Sequence, residues 1–253
     1  MGLIRGPNIV RSGLILHLDA ALSTSYPASG TVWYDLSPNR YNFNFSCTGT
    51  SCSNPTYSNN SITANFVTTS PYNFSYLNGT NLNNQILQLL YSNHTIELCF
   101  KLNSASTVYN YNNALTNEGN MALFCWVGYH AGLLMSNSTF AYVIYNSTTS
   151  GNFITADATP FIGQNIILHC IRSGNDCSIY INGVLKNTVT ISPPASYPHA
   201  NIRIGCGFTT QPTSNSYTFA SNATYYSIKC YNIALTATQV LQNFNALRGR
   251  LLI

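Results

Sequence analysis

The chain has 253 residues; 45% are hydrophobic, 13% aromatic and only 6% charged, with a formal net charge of +4. That apolar and aromatic content excludes a disordered polymer, and the length suits one large all-β domain. The ten Lys and Arg are scattered rather than clustered, which excludes a nucleic-acid footprint, and no run approaches the ~18 consecutive apolar residues of a membrane span.

The first ten residues, "MGLIRGPNIV", read as an N-terminal arm (1–10) ahead of a single domain (11–253). Arg5, Pro7 and Arg11 interrupt any apolar run, so the arm does not read as a secretory leader. "GLILHLDA" is the first strand and ends in Asp19; Asp35 follows in "GTVWYDLSPN", so two of only six acids frame a turn around Trp33. Aspartates in such loops accept backbone N–H bonds, and both are expected to lock that turn. Residues 42–82 are polar but punctuated by Phe and Tyr, which predicts loops packed on the domain. A short helix is predicted within 83–93. "TIELCFKL" then alternates strictly, with Ile96, Leu98, Phe100 and Leu102 on one face and Glu97, Cys99 and Lys101 on the other.

The loop "TVYNYNNALTNEGN" (107–120) offers Tyr faces and Asn amides, which suit sugars and wet protein contacts equally. "TFAYVIYN" and "QNIILHCIRSG" are further strands. "CSIYINGVLKNTVTI" is a hairpin, with Asn182 and Gly183 supplying a type I′ turn. "ANIRIGCGF" and "NATYYSIKCYN" are late strands. The chain closes on a helix, "ALTATQVLQNFNALRGR": Thr236 and Gln239 have capping-box spacing, Val240, Phe244 and Leu247 form its apolar stripe, Gly249 is the expected stop, and Arg248 and Arg250 are expected to serve its end. Many short strands separated by Asn, Ser, Gly and Pro predict an antiparallel sandwich or barrel.

The eight cysteines leave disulfide and thiol open. Cys47–Cys52 and Cys170–Cys177 are plausible local pairs, whereas Cys206 and Cys230 continue strand alternations as small core residues. No C-x-x-C or H-x-x-x-H spacing marks a metal site, no G-x-S-x-G marks a nucleophile, and no two acids lie within three residues of each other. The expectation is no catalytic residue, no metal and no cofactor, with ligand-binding residues unassigned. A weak calcium candidate is Asp35 with Asn39, against which the chain is poor in the carboxylates calcium requires. His17, His94, His130, His169 and His199 are read as buried or half-buried core histidines.

Four stretches in order carry a resemblance: "GLILHLDA…SYPASGTVWYDLSPN", "TIELCFKL", "SIYINGV" and "YNIALTATQVLQNFNALRGR". Together they resemble concanavalin A-like, laminin-G-like (LamG) domains, particularly the stand-alone versions of phages and large DNA viruses. Pro38 and Arg40 stand where that loop has glycines, Tyr41 where it has Asn, Cys99 where Trp is common, and Gln239 where an acid is common. The resemblance implies an all-β, antiparallel jelly-roll β-sandwich with a short C-terminal helix. It implies a non-enzymatic viral structural protein: a decoration, cement or minor capsid component on a capsid or tail surface. Its partners would be the major capsid protein or copies of itself, its place the virion, and its arm would dock on a neighbour. The alternative is an extracellular or virion-borne lectin module for host glycans.

Overall fold

The computed structural model describes residues 7–48, 52–67, 73–103, 120–127, 131–136, 138–145, 151–192, 199, 201–208 and 218–253. Its strands in chain order are β1 (Leu14–Asp19), β2 (Val32–Trp33), β3 (Phe43–Thr48), β4 (Thr56–Ser58), β5 (Ser61–Ala64), β6 (Phe66–Val67), β7 (Asn73–Gly79), β8 (His94–Leu102), β9 (Asn120–Val127) and β10 (Ala131–Ser136). They continue as β11 (Thr139–Tyr145), β12 (Gly151–Asp157), β13 (Asn165–Ser173), β14 (Asp176–Ile181), β15 (Val184–Thr190), β16 (Asn201–Ile204), β17 (Cys206–Phe208), β18 (Thr218–Ala220) and β19 (Ala223–Tyr231). A one-turn helix α1 (Asn84–Leu87) precedes β8, and α2 (Ala237–Leu251) ends the chain.

Two antiparallel sheets hold most of these strands. The first runs β15-β14-β13-β8-β19-β5-β4, with β1 beside β5 on the same flank of β19. The second runs β12-β11-β10-β9-β16-β7-β3-β2, with β6 on β7. Period-two alternation sends one set of side chains from each sheet into a common core. Leu98, Phe100, Ile166, Leu168, Ile179 and Ile228 face Phe124, Trp126, Leu133, Phe140 and Ile154 there, and the Phe100 and Phe140 rings meet edge to face at 5.9 Å. The β14–β15 hairpin turns at Asn182 and Gly183, both at positive φ (51° and 78°), as the Asn-Gly pair predicts.

The predicted helix at 83–93 forms as α1 followed by a single 3₁₀ turn, with Ile86, Leu89 and Leu90 buried. The capping box of α2 forms as read: the Thr236 side chain accepts from Gln239 N, and the Gln239 side chain accepts from Thr236 N. The expected stop at Gly249 is overturned. The helix runs to Leu251, and Leu252 takes the left-handed conformation (φ 57°). Tertiary contacts carry that extra length: Leu251 is buried, and Arg250 finds an acid in β1. Among the cysteines, Cys47 and Cys52 are disulfide-bonded, whereas Cys170 and Cys177 are buried free thiols.

Helix α2 lies on the outer face of the first sheet, the face away from the core. This makes Glu97 and Cys99 of β8 fully buried, although strand alternation alone places them outward. Val240, Asn243, Leu247 and Leu251 form the covering stripe; Phe244 is only half-buried.

Candidate functional site

The two aspartates of the opening turn are committed to the protein. The β1 strand is the flank of its sheet at His17, and the loop at 35–39 covers that flank. Asp35 Oδ1 accepts from the backbone N–H of His17 (2.8 Å) and Ser37 (2.8 Å), and Oδ2 accepts from Ser37 Oγ (2.6 Å) and Tyr41 N–H (2.9 Å). A carboxylate offers about four acceptor positions, so all are used. Asn39 Nδ2 donates to Ile15 O (2.9 Å), and His17 O accepts from Leu36 N–H (2.8 Å). The edge is therefore closed by side chains and loop backbone in place of another strand. Of the calcium candidate, Asp35 spends both carboxylate oxygens here and Asn39 its Nδ2. Among the described residues no group of three or more His, Cys, Asp or Glu gathers as a metal site. Arg40 takes the left-handed backbone conformation, at φ 58°.

Asp19 reaches the far end of the chain. One guanidinium nitrogen of Arg250 donates to both of its oxygens, at 2.9 and 2.8 Å, fastening the end of α2 to β1. Residues 8–10 are fastened likewise: Gln242 Nε2 donates to Asn8 O (2.7 Å), and Val10 N–H donates to Asn243 Oδ1 (2.7 Å).

Strand register builds a row of polar side chains beneath α2. Glu97 pairs with His169 on one side and with Lys229 on the other, and Lys229 pairs with His17. All but His17 are fully buried. Glu97 Oε1 accepts from Lys229 Nζ (2.7 Å); Oε2 accepts from His169 Nε2 (3.1 Å) and Asn243 Nδ2 (2.6 Å). Lys229 also donates to Ser227 Oγ (3.0 Å), and Asn243 Nδ2 to Tyr231 OH (2.9 Å). Burial pushes the Glu97 carboxyl up, but Lys229 and His169 overcome it and hold the group well below the usual carboxylate range. Burial likewise lowers Lys229, and Glu97 outweighs it, so the ammonium is held above its ordinary value. A charge pair desolvated this fully persists because further hydrogen bonds from His169, Asn243 and Ser227 support it. The row is sealed from solvent and is not a substrate cleft.

A second buried polar group ties the two sheets. His94 Nδ1 donates to Ser92 O (2.7 Å), which leaves Nε2 to accept from Tyr142 OH of the opposite sheet. Burial lowers His94 to about 4, so it is neutral. His17 is also lowered to about 4, by burial first and then by Lys229. As expected from sequence, His17, His94, His169 and His199 are buried or nearly so; His130 lies outside the described residues.

The surface best suited to an external ligand is the outer face of the second sheet. Register aligns Asn44 of β3, Asn78 of β7 and Arg203 of β16 in one row. Asn78 Oδ1 accepts from Asn201 Nδ2 (3.0 Å) and Arg203 Nε (3.2 Å), and the guanidinium lies over the Tyr76 ring at 5.0 Å. Asn44 is exposed; Tyr76, Asn78, Asn201 and Arg203 are half-buried. The result is a shelf of amides, a guanidinium and an aromatic ring. Sequence reading missed it because the residues lie far apart in the chain. The loop singled out instead, 107–120, lies outside the described residues except for Asn120.

No protein family and no curated protein matches the chain. Solved structures do match in fold. The receptor-binding domain of the botulinum neurotoxin C/D mosaic serotype is similar at 12% identity and TM-score 0.61, over 92% of this chain and 51% of that one. The botulinum neurotoxin DC binding domain in complex with SialylT matches at 12% and 0.60, over 93% and 52%. A structure described by the dependence of botulinum neurotoxin type C cell entry on two ganglioside molecules matches at 15% and 0.59, over 93% and 51%. The chain spans about half the length of the structures it matches. At these identities the likeness establishes an all-β sandwich and nothing finer.

Proposed function

We propose that the chain is a non-enzymatic recognition domain that binds carbohydrate through the outer face of its second sheet. The observation that carries this reading is the shelf of Asn44, Tyr76, Asn78, Asn201 and Arg203. Amides and a guanidinium offer directional bonds to hydroxyls, and a tyrosine ring offers a face to a sugar's C–H surface. The fold neighbours support it: they are receptor-binding domains, one in complex with SialylT and one whose toxin depends on gangliosides, which are glycolipids. A concanavalin A-like jelly roll is the topology we propose for the sandwich. The test is a glycan array probed with the purified chain, followed by calorimetry on the best ligand. Retention of one glycan class, with binding lost at least tenfold in Asn78→Ala at unchanged melting temperature, is the expected result. An array with no retained glycan would overturn the reading.

A second reading, a structural protein on a virion surface, is favoured by the low charge, since neutral polar surfaces are weakly protected from self-association. Its partners would be a major capsid protein or further copies of this chain. Quantitative mass spectrometry of purified particles tests it: a fixed ratio to the shell protein supports the virion placement, and absence removes it. Glycan binding and virion display are compatible, so the two tests are independent.

A further inference from the structure

The group beneath α2 contains the parts of an amide-transfer reaction. Lys229 Nζ and Asn243 Nδ2 are held by opposite oxygens of one carboxylate, Glu97, at 2.7 and 2.6 Å. Asn243 Oδ1 accepts a backbone N–H from Val10 at 2.7 Å. Because Oδ1 faces a donor and Nδ2 faces the acceptors Glu97 and Tyr231, the orientation of the amide is fixed by its partners. Lys229, Glu97 and Asn243 are each 0% exposed, so bulk water is kept from the reacting atoms.

We propose that Lys229 and Asn243 join covalently, so that α2 is welded to β19 by a side-chain amide bond. The pair rests as ammonium and carboxylate, and the reaction starts from an uphill proton transfer within it: Glu97 takes a proton from the Lys229 ammonium along their hydrogen bond and frees an electron pair on Nζ. Nζ attacks Cγ of Asn243. Negative charge gathers on Oδ1, where the Val10 N–H already points. The Cγ–Nδ2 bond then breaks as Glu97, which touches both nitrogens, returns a proton to the departing one. The Nζ–Cγ bond replaces Cγ–Nδ2, and nitrogen leaves as ammonia carrying the remaining proton as ammonium. No oxidant, reductant or metal enters the balance. His169 Nε2 holds the Oε2 side of the carboxylate and leaves Oε1 to Lys229, so His169 is a positioning residue. Holding both groups on one carboxylate removes the entropic cost of bringing an amine to an amide, a reaction too slow in water to occur by chance encounter.

Residues 8–10 take part, because Val10 supplies the donor to Oδ1. The bond would close a loop from β19 through α2, independently of whether the chain binds glycans. The experiment is intact-mass measurement of the reduced full-length chain, then chymotryptic digestion. Cleavage after Tyr231 and Leu235 separates Lys229 from Asn243 along the backbone. The expected result is a chain lighter than its sequence by one ammonia, with the Lys229 and Asn243 peptides still joined after digestion. Glu97→Gln and Asn243→Ala are expected to show full sequence mass and separate peptides. Wild-type chain of full mass would overturn the proposal and leave the group as an ion pair alone. Loss of ammonia with separated peptides would also overturn it, since that is cyclisation of an asparagine on its own backbone. The wild-type measurement decides even where a variant fails to fold.

Discussion

At the scale of single residues, Asp35 shows why an acid-poor chain retains an acid in a loop. Its four accepted bonds come from three backbone N–H groups and one hydroxyl, and Asp35 itself is fully buried. Asp35→Ala strands those donors away from water, which costs about 3 kcal/mol. Urea denaturation is expected to show a lower midpoint at unchanged slope; an unchanged midpoint would mean that solvent reaches the loop. The same turn was legible in the sequence as two aspartates around Trp33, because an aspartate bonding the backbone two residues on is a local pattern. What was not legible is that the third and fourth partners, His17 and Tyr41, lie on either side of it. The place of Arg40 is readable only from the fold: its backbone is left-handed, and its guanidinium donates to Asp35 O at 3.2 Å.

At the scale of elements, α2 determines more than its length suggests. Its capping box and the Val240–Leu247 part of its stripe were readable, because they depend on spacing within one helix. Its end was not, because Leu251 and Arg250 extend it through contacts with Cys99, Ile167 and Asp19. Truncation after Arg248 removes Leu251 and the Asp19 partner together. Cys99, packed against Leu247 and Leu251, is then expected to become reactive to maleimide, while Cys170 and Cys230, inside the main core, stay protected. Peptide mapping of the labelled chain checks this; equal labelling of all three would show that α2 is needed for the whole sandwich. The segment leading into β1 belongs to the same unit, since Val10 is buried and its N–H donates to Asn243 Oδ1.

At the scale of the whole molecule, the buried histidines make stability depend on pH. His17 and His94 are both lowered from 6.5 to about 4 in the folded chain. Unfolding releases them to bind protons, so the unfolded state takes up more protons throughout that interval. Stability is therefore complete above about pH 6.5 and falls progressively as the pH is lowered towards 4, by about 3 kcal/mol for each group at the lower limit. Melting temperature measured across pH 7.5 to 4, at roughly constant ionic strength, is expected to fall through that window. His94→Gln is expected to flatten part of the slope, and a flat wild-type profile would mean that both imidazoles are protonated in place.

The strands β1, β8, β11, β13 to β16 and β19, the Asn182–Gly183 hairpin, the capped terminal helix and the all-β class followed from the chain alone, because each rests on alternation, turn chemistry or helical spacing among near neighbours; the loops expected over 42–82 are instead β3 to β7, whose polar residues are held by strand pairing across the sheets. The partners of Glu97 did not. His169, Lys229 and Asn243 are 72, 132 and 146 residues away, and only strand register and the docking of α2 bring them to one carboxylate. The same holds for the Asn78–Arg203 shelf, whose members are 125 residues apart. Sequence periodicity says which face of a strand a side chain takes; what covers that face is decided by the packing of elements distant in the chain, and it is that cover which turns an outward glutamate into a buried one.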